Sequence, residues 1–324
     1  MKLASLNTGG RDGTLIVTNQ ALTRYIAVPQ IAPTLQQALE HWSVCQPQLQ
    51  EIYYELNKGI IEGCPLDFHK LFAPLPRAYQ WLDGSAYLSH VERVRKARGA
   101  EMPPSFREDP LMYQGGSDTF IGPRDGLHAA DEAWGIDFES EVAVITDDVP
   151  LGTSASDATN HIRLLMLVND VSLRNLIPAE LAKGFGFIHG KPPTAFSPVA
   201  VTPDELSDHW RDSKLHLPLL TDFNGEQFGN PDAGKDMHFS FAQLIQHAAK
   251  TRPLGSGTII GSGTVSNNDL SRGCSCLAER RVLEIIEGGE ATTPFMKYGD
   301  TIKIDMLDLD GNSIFGSIEQ VVKA

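Results

Sequence analysis

The sequence predicts an α+β protein, mainly β with some α: a small N-terminal α+β domain, residues 1–75, followed by a larger β-rich domain, residues 76–324. Three observations carry this. From residue 76 on, short β-branched and aromatic runs alternate with tight-turn sequences such as Asn224-Gly225 and Asp310-Gly311-Asn312. The clearest helical apolar stripe, Leu35, Ala38, Leu39, Trp42, Leu49, Ile52, Tyr53 and Leu56, lies before Lys58-Gly59. The proline-containing stretch Phe72-Ala73-Pro74-Leu75-Pro76-Arg77 reads as the connector.

The elements follow in order. Gly9-Gly10-Arg11-Asp12-Gly13 turns the chain between strands at Leu3–Leu6 and Thr14–Val17, and Tyr25–Val28 adds a third. Thr34 caps a helix with Gln37 in capping-box position, and Pro47 divides the stripe into two helices. Leu88–Ala97 is helical. Residues 96–106 are polar, with Gly99 and Pro103-Pro104, and read as a loop able to cover a site. Short strands follow at Met112–Gly116, in the acidic stretch 136–145 and at Arg163–Val168, with a helix starting near Ser154. Beyond them come a Gly-rich loop, Gly184–Lys191, strands at Val199–Val201 and Leu215–Leu219, and a helix at Phe241–Thr251. Thr258–Ile260 and Thr301–Met306 are further strands, and a last one lies within Ile314–Val322.

Composition narrows the function. With 324 residues, 41% hydrophobic and 21% charged, the chain can bury a sizeable core. A net charge of −14 argues against nucleic acid or an anionic membrane as partner. The one basic cluster is Arg93, Arg95, Lys96 and Arg98. The N-terminus lacks the apolar core of a signal peptide, and Leu164–Val168 is far too short to span a bilayer. Four cysteines in a chain this long make no disulfide framework. Cys274 and Cys276 lack the second Cys or His pair that zinc sites usually need. The expectation is a cytoplasmic protein with free thiols.

The stretch Gly135–Ile145 carries the chemistry. Its second half is a continuous apolar run, the mark of a buried strand. Its first half alternates, so that Asp137, Glu139 and Glu141 share one face. Three carboxylates entering a core repel each other and lose hydration unless a cation sits among them. Oxygen ligands with no Cys or His nearby favour Mg²⁺, Ca²⁺ or Mn²⁺. On the pattern alone the favoured reading is a strand end at the surface, with its acids solvated. Gly184–Lys191 is not a P-loop, since the Gly-Lys-Ser/Thr ending is absent.

Five motifs in order change that balance: Asp137-Phe138-Glu139-Ser140-Glu141; Asn169-Asp170-Val171-Ser172-Leu173-Arg174; Gly190-Lys191 with Ser197-Pro198; Gly261-Ser262-Gly263-Thr264; and Tyr298-Gly299-Asp300. Together they resemble the fumarylacetoacetate hydrolase family over about residues 80–324. The resemblance implies a C-terminal mixed β-sandwich or roll domain. It implies Glu139, Glu141, Asp170 and Asp83 as metal ligands, Asp83 standing seven residues before His90 as in fumarylacetoacetase. It implies His90 as catalytic base and Lys191 as a stabiliser of the oxyanion. Glu279 is the candidate partner of His90, with Glu92 as the alternative. Tyr113, Thr264 and Arg174 would bind substrate, or Arg174 would brace Asp170. Ile177 stands where the family has a substrate-binding Gln.

The reaction implied is metal-dependent hydrolysis of a C–C bond in a small β-diketo acid such as fumarylacetoacetate or an acylpyruvate, through a metal-bound enolate, as in aromatic amino-acid catabolism. Mg²⁺ is the expected ion, with Ca²⁺ or Mn²⁺ as alternatives. Imidazole suits the base because it exchanges protons near neutral pH. Two other readings stand beside this one. The first is a decarboxylase, or a hydratase or isomerase, of a 2-oxo acid on the same site. The second is a non-catalytic, metal-stabilised binding module. The resemblance also implies a homodimer.

Overall fold

The structure is a computed structural model that describes residues 1–97 and 101–324. Among the described residues, eleven strands form one sheet. Its order runs Cys64–Pro65, Arg24–Ala27, Thr14–Thr18, Lys2–Leu6, Ala200–Val201, Ile162–Asn169, Ser140–Thr146, Ile259–Gly261, Trp81–Gly84 and Met112–Gly115, with Ala195–Phe196 pairing beside Ile162–Asn169. The N-terminal meander therefore extends the central sheet rather than forming its own. A second sheet of five strands orders Glu226–Gly229, Leu220–Phe223, Thr301–Asp305, Ile318–Lys323 and Leu127–His128. The mixture of sheets and helices matches the expected α+β class.

Period-two alternation explains the two cores. Leu3, Leu15, Val17, Ala143, Ile145, Leu164 and Met166 point to one face of the large sheet, where Leu35, Leu39 and Leu49 of the N-terminal helices cover them. Ala4, Ile16, Val142, Val144, Leu165 and Leu167 point to the other, which packs with Ile302, Ile304, Ile318 and Val322 of the second sheet. With both faces covered, the central strands read as unbroken apolar runs.

Several expectations meet corrections. The two N-terminal helices, Leu35–Glu40 and Trp42–Lys58, divide at His41, and Pro47 lies inside the second. Pro47 cannot donate to the carbonyl of Ser43, yet both residues are exposed, so that carbonyl can turn to water. The acidic strand is interrupted: Ile136–Asp137 pairs with Ser172–Leu173, and the long strand resumes at Ser140. Leu215–Leu219 is not continuous strand either, for the strands are Lys214–Leu215 and Leu220–Phe223. A helix at Leu277–Gly288 was absent from the sequence expectations. Its signals were good helix formers, Leu277-Ala278-Glu279-Arg280-Arg281, and the left-handed Gly289 that caps it at φ 88°.

Leu88–Ala97 is a helix as expected, and Pro104–Arg107 forms a 3₁₀ turn. Residues 98–100 of the expected covering loop, and with them Arg98 of the basic cluster, lie outside the described residues. The four cysteines are free. Among the described residues, no helix is long and apolar enough to cross a membrane.

Candidate active site

Three neighbouring stretches of the large sheet carry acids on one face. In each, the same two-residue period that buries the core brings a carboxylate to the strand end: Trp81 then Asp83, Ile145 and Ala143 back to Glu141, and Met166 and Val168 on to Asp170. Carboxylate oxygens of Asp83, Glu141 and Asp170 lie within 4.8 Å of one another, and all three residues are buried. Gly261 sits between the strands, opposite both Asp83 and Ala143. A Cβ there would fall 2.3 Å from Asp83 Oδ1, so glycine leaves the carboxylate its space. Gly263 N donates to the same oxygen at 3.0 Å. Its φ of +75° and the 2.2 Å that would separate a Cβ from Gly84 O both require glycine.

The electrostatics of the group divide it in two. Burial, then the facing carboxylates, push Asp83 and Glu141 well above the usual carboxylate range. Both oxygens of Glu141 are buried without a hydrogen-bond partner. Glu139 is the opposite case. Burial would raise it, but Arg174 and Lys191 outweigh burial and hold it far below that range. Arg174 Nη2 donates to Glu139 Oε1 at 2.6 Å and Lys191 Nζ to Oε2 at 2.6 Å. Lys191 also donates to Asp170 Oδ2 at 2.6 Å, so it bridges Glu139 and the three-acid group. Tyr113 Oη donates to the same Asp170 oxygen at 2.6 Å, and Thr194 Oγ1 to Oδ1 at 2.9 Å.

Arg174 does not brace Asp170. Its Nε donates to Asp137 Oδ2 at 2.8 Å and its Nη2 to Glu139, because the Asp137–Ser172 pairing places it on the acidic side of that short ladder. Asp137 is fully buried and also accepts from Leu277 N and Ala278 N at 2.8 and 3.0 Å. An anion at the start of a helix satisfies amides that have no partner within it.

His90 stands on the Leu88–Ala97 helix and Glu279 near the start of Leu277–Gly288. His90 Nδ1 lies 3.4 Å from Glu279 Oε2, a charge-pair distance without hydrogen-bond alignment, and neither atom has another partner. Burial would raise Glu279, but His90, Ser266 and Arg93 hold it below the usual range. Ser266 Oγ donates to Glu279 Oε1 at 2.7 Å, and Arg93 binds the same oxygen. Glu92 instead pairs with Arg107 at 2.9 Å, away from His90. Arg93 and Ser266 were not among the expected site residues. Arg93, three residues after His90, shares a helix face with it, which was the available signal.

One cleft of about 170 Å³ joins these parts. Asp83, His90, Tyr113, Glu139, Glu141, Arg174, Lys191 and Thr264 all line it, with Ile177 and Phe187 as apolar wall. Of the expected site residues, Asp170 and Glu279 stand just behind this lining, in contact through Lys191 and His90. The unpartnered Glu141 oxygens and the crowded acids fit a hard divalent cation held by Asp83, Glu141 and Asp170.

Comparisons with known proteins bear on the family and the fold. An oxaloacetate tautomerase of Bacillus subtilis is 29% identical over 202 residues, 61% of this chain and 62% of that protein. The match thus spans about three fifths of the relative's length. A 2,4-didehydro-3-deoxy-L-rhamnonate hydrolase of Sphingomonas is 30% identical over 161 residues, 48% of this chain and 53% of the relative. Among solved structures, the fumarylacetoacetate hydrolase of Exiguobacterium antarcticum shares the fold at a TM-score of 0.70 and 18% identity, covering 100% of this chain and 99% of that one. The maleylpyruvate hydrolase of Sphingobium superposes at 0.65 with 14% identity, each chain fully covered. The family includes hydrolases, isomerases and tautomerases, and its enzymes usually use a divalent metal. Residues 80–323 match the fumarylacetoacetate (FAA) hydrolase C-terminal family and residues 1–77 the fumarylacetoacetase N-terminal domain 2, so the chain belongs to the fumarylacetoacetate hydrolase family.

Proposed function

We propose that this chain is a divalent-metal-dependent hydrolase that cleaves a C–C bond in a small β-diketo acid of acylpyruvate type. Residues 76–324 would form the catalytic domain and residues 1–75 a small domain that braces its sheet. The observation that carries the reading is the shared cleft: a His–Glu pair faces a three-carboxylate group across a space sized for a small acid. Asp83, Glu141 and Asp170 would hold the ion, Mg²⁺ by the hardness of the oxygens, with Ca²⁺ or Mn²⁺ as alternatives. When bound, the ion supplies Lewis-acid polarisation of the substrate carbonyl. Glu139, the fourth acid of the expected ligand set, has its oxygens bound by Arg174 and Lys191 and is linked to the other three acids through Lys191.

The chain's own residues do the rest. Glu279, held ionised, faces His90 Nδ1 and favours the tautomer whose Nε2 accepts a proton. His90 takes a proton from water. The oxygen adds to the distal carbonyl, the C–C bond breaks, and its electron pair leaves as an enolate. The proton returns from His90 to that carbon. Burial works against the charge on Lys191, but Asp170 and Glu139 outweigh it and keep the ammonium protonated, an oxyanion stabiliser in place before the reaction. Thr264 and Tyr113 would contact the substrate, and Arg174 would fix the acidic wall.

A second reading has support in the likeness to the oxaloacetate tautomerase: proton transfer on a 2-oxo acid, with isomerisation or decarboxylation in place of cleavage. One experiment separates the two. Metal binding is titrated calorimetrically for wild type and Glu141→Gln, and acetylpyruvate and oxaloacetate are then supplied with Mg²⁺. Metal-dependent release of acetate and pyruvate that His90→Ala abolishes supports hydrolysis. Interconversion of oxaloacetate tautomers without cleavage of acetylpyruvate supports the second reading. Equal, weak metal binding by wild type and Glu141→Gln sinks both.

A further inference from the structure

Sequence spacing set Cys276 aside as a zinc ligand because no second Cys or His pair follows it. The fold supplies partners from elsewhere. Cys276 precedes the Leu277–Gly288 helix as its N-cap, and its Sγ accepts from Glu279 N at 3.3 Å. That sulfur, a ring nitrogen of His90 and a carboxylate oxygen of Glu279 lie within 4.8 Å of one another. Two of the three residues offer atoms with nothing else to bind. His90 Nδ1 and Glu279 Oε2 are both buried and without a hydrogen-bond partner, and they face each other across 3.4 Å. The Glu279 side chain is only 1% exposed.

A buried carboxylate oxygen with no partner needs a reason, and an unpartnered imidazole nitrogen opposite it names one. Two ligands of a tetrahedral ion with bonds of ~2.0–2.1 Å stand ~3.4 Å apart. The thiol adds a soft ligand, which the acids around Glu141 lack. The carboxylates in and just behind the cleft, Asp83, Asp137, Glu139, Glu141, Asp170 and Glu279, outnumber the basic groups Arg93, Arg174 and Lys191, so the region attracts cations.

We propose that His90 Nδ1, Cys276 Sγ and Glu279 Oε2 form a site for a soft divalent ion of the Zn²⁺ class, separate from the oxygen site of Asp83, Glu141 and Asp170. Binding releases the Cys276 thiol proton to solvent and leaves a fourth coordination position for water. The ion occupies the nitrogen through which Glu279 orients His90. If the function proposed above holds, filling this site blocks the base, so the site is inhibitory.

The test uses the full-length protein in excess Mg²⁺, which occupies oxygen ligands and leaves thiolates alone. Co²⁺ is the spectroscopic probe, because only a sulfur ligand gives a near-ultraviolet thiolate-to-cobalt charge-transfer band. The expected result is a band that saturates at one equivalent and is abolished when Zn²⁺ displaces the cobalt. Cys276→Ser loses the band, and its fold is kept because serine is itself a preferred N-cap. Cys274→Ser and Glu141→Gln retain the band. Absence of a band in the wild type, its survival in Cys276→Ser, or its loss in either control overturns the proposal. The readout needs no turnover, so failure of acetylpyruvate cleavage would remove the hydrolase reading and leave this result standing.

Discussion

His90 and Glu279 meet across the cleft wall, Nδ1 to Oε2 at 3.4 Å, although they stand on helices far apart in the sequence. The carboxylate is the buried member of the pair. Ser266 and Arg93 hold its other oxygen, and together with His90 they keep its buried carboxylate ionised. His90 is half-buried at the cleft, so the pair has one fixed member and one that faces substrate. Glu279→Gln keeps the shape and removes the charge that orients the imidazole. The expected outcome is a fall in kcat of roughly 10²-fold with little change in KM, the size of a general-base contribution. Steady-state kinetics on acetylpyruvate, with circular dichroism to confirm the fold, check it. Wild-type kcat in Glu279→Gln would remove the dyad from the reaction.

Arg93 is predicted to position Glu279. Its Nη1 binds the Glu279 carboxylate and Ser266 Oγ, and its Nη2 donates to Asn267 O at 2.6 Å. A lysine ammonium cannot span these acceptors as a planar fork does. Arg93→Ala should cost about 3 kcal/mol of stability, the order expected when one partner of a buried ion pair is removed. Arg93→Lys should cost less, and guanidinium added to Arg93→Ala should restore part of kcat. Denaturant unfolding and kinetics with and without guanidinium measure the two effects. A stability loss with no guanidinium rescue would make Arg93 a purely structural residue.

What the sequence made legible follows from where the information is local. The hairpin at Asn224-Gly225 reads directly, because both residues take positive φ, 53° and 80°, that few other residues accept. The helix over Leu88–Ala97 and the Gly59 stop at φ 68° are equally local. Glu141 was legible through two-residue periodicity, but Asp83 and Asp170 only through the order of the motifs; the reading the pattern alone favoured, solvated acids, fails because Asp137, Glu139 and Glu141 are buried. Arg174 was expected to bind substrate or to brace Asp170, whereas its partners Asp137 and Glu139 come from strand pairing at Ser172, which the local sequence does not encode. The Leu277–Gly288 helix was missed because only Leu277 and Glu279 of it are buried, and so it lacks a clear apolar stripe.

Stability of the metal-free protein should fall as pH rises above the ordinary carboxylate range. Burial and mutual repulsion raise Asp83 and Glu141 in the folded state, so between the unfolded and folded pKa values the native chain binds more protons than the unfolded one. The slope of unfolding free energy with pH is then negative. Glu139, held low by Arg174 and Lys191, has the opposite sign, but its contribution is lost only as pH falls below about 4.3, outside this window. Mg²⁺ relieves the repulsion and binds the deprotonated acids, so the rise in Tm that it gives should grow from pH 5 to pH 8. At 100 times its Kd the ion contributes about 2.7 kcal/mol. Thermal melts in chelator and in Mg²⁺ across that range provide the check, and a Mg²⁺ shift that is absent or independent of pH would remove the ion from the acid group.

Specificity should turn on Ile177. It begins the short Ile177–Leu181 helix and lines the cleft beside Phe187, with Gly190 packed so closely that a Cβ there would fall 2.6 Å from Ile177 Cγ1. An apolar wall contributes contact to a short acyl chain and gives a distal carboxylate no partner. Ile177→Gln introduces an amide that can donate to such a group while nearly conserving volume. Relative kcat/KM for fumarylacetoacetate over acetylpyruvate should rise roughly 10- to 100-fold, the range that one pocket contact supplies. Paired kinetics on the two substrates measure the ratio. An unchanged ratio with both activities intact would place the substrate tail elsewhere in the cleft, on the side of Thr264 and Ser85.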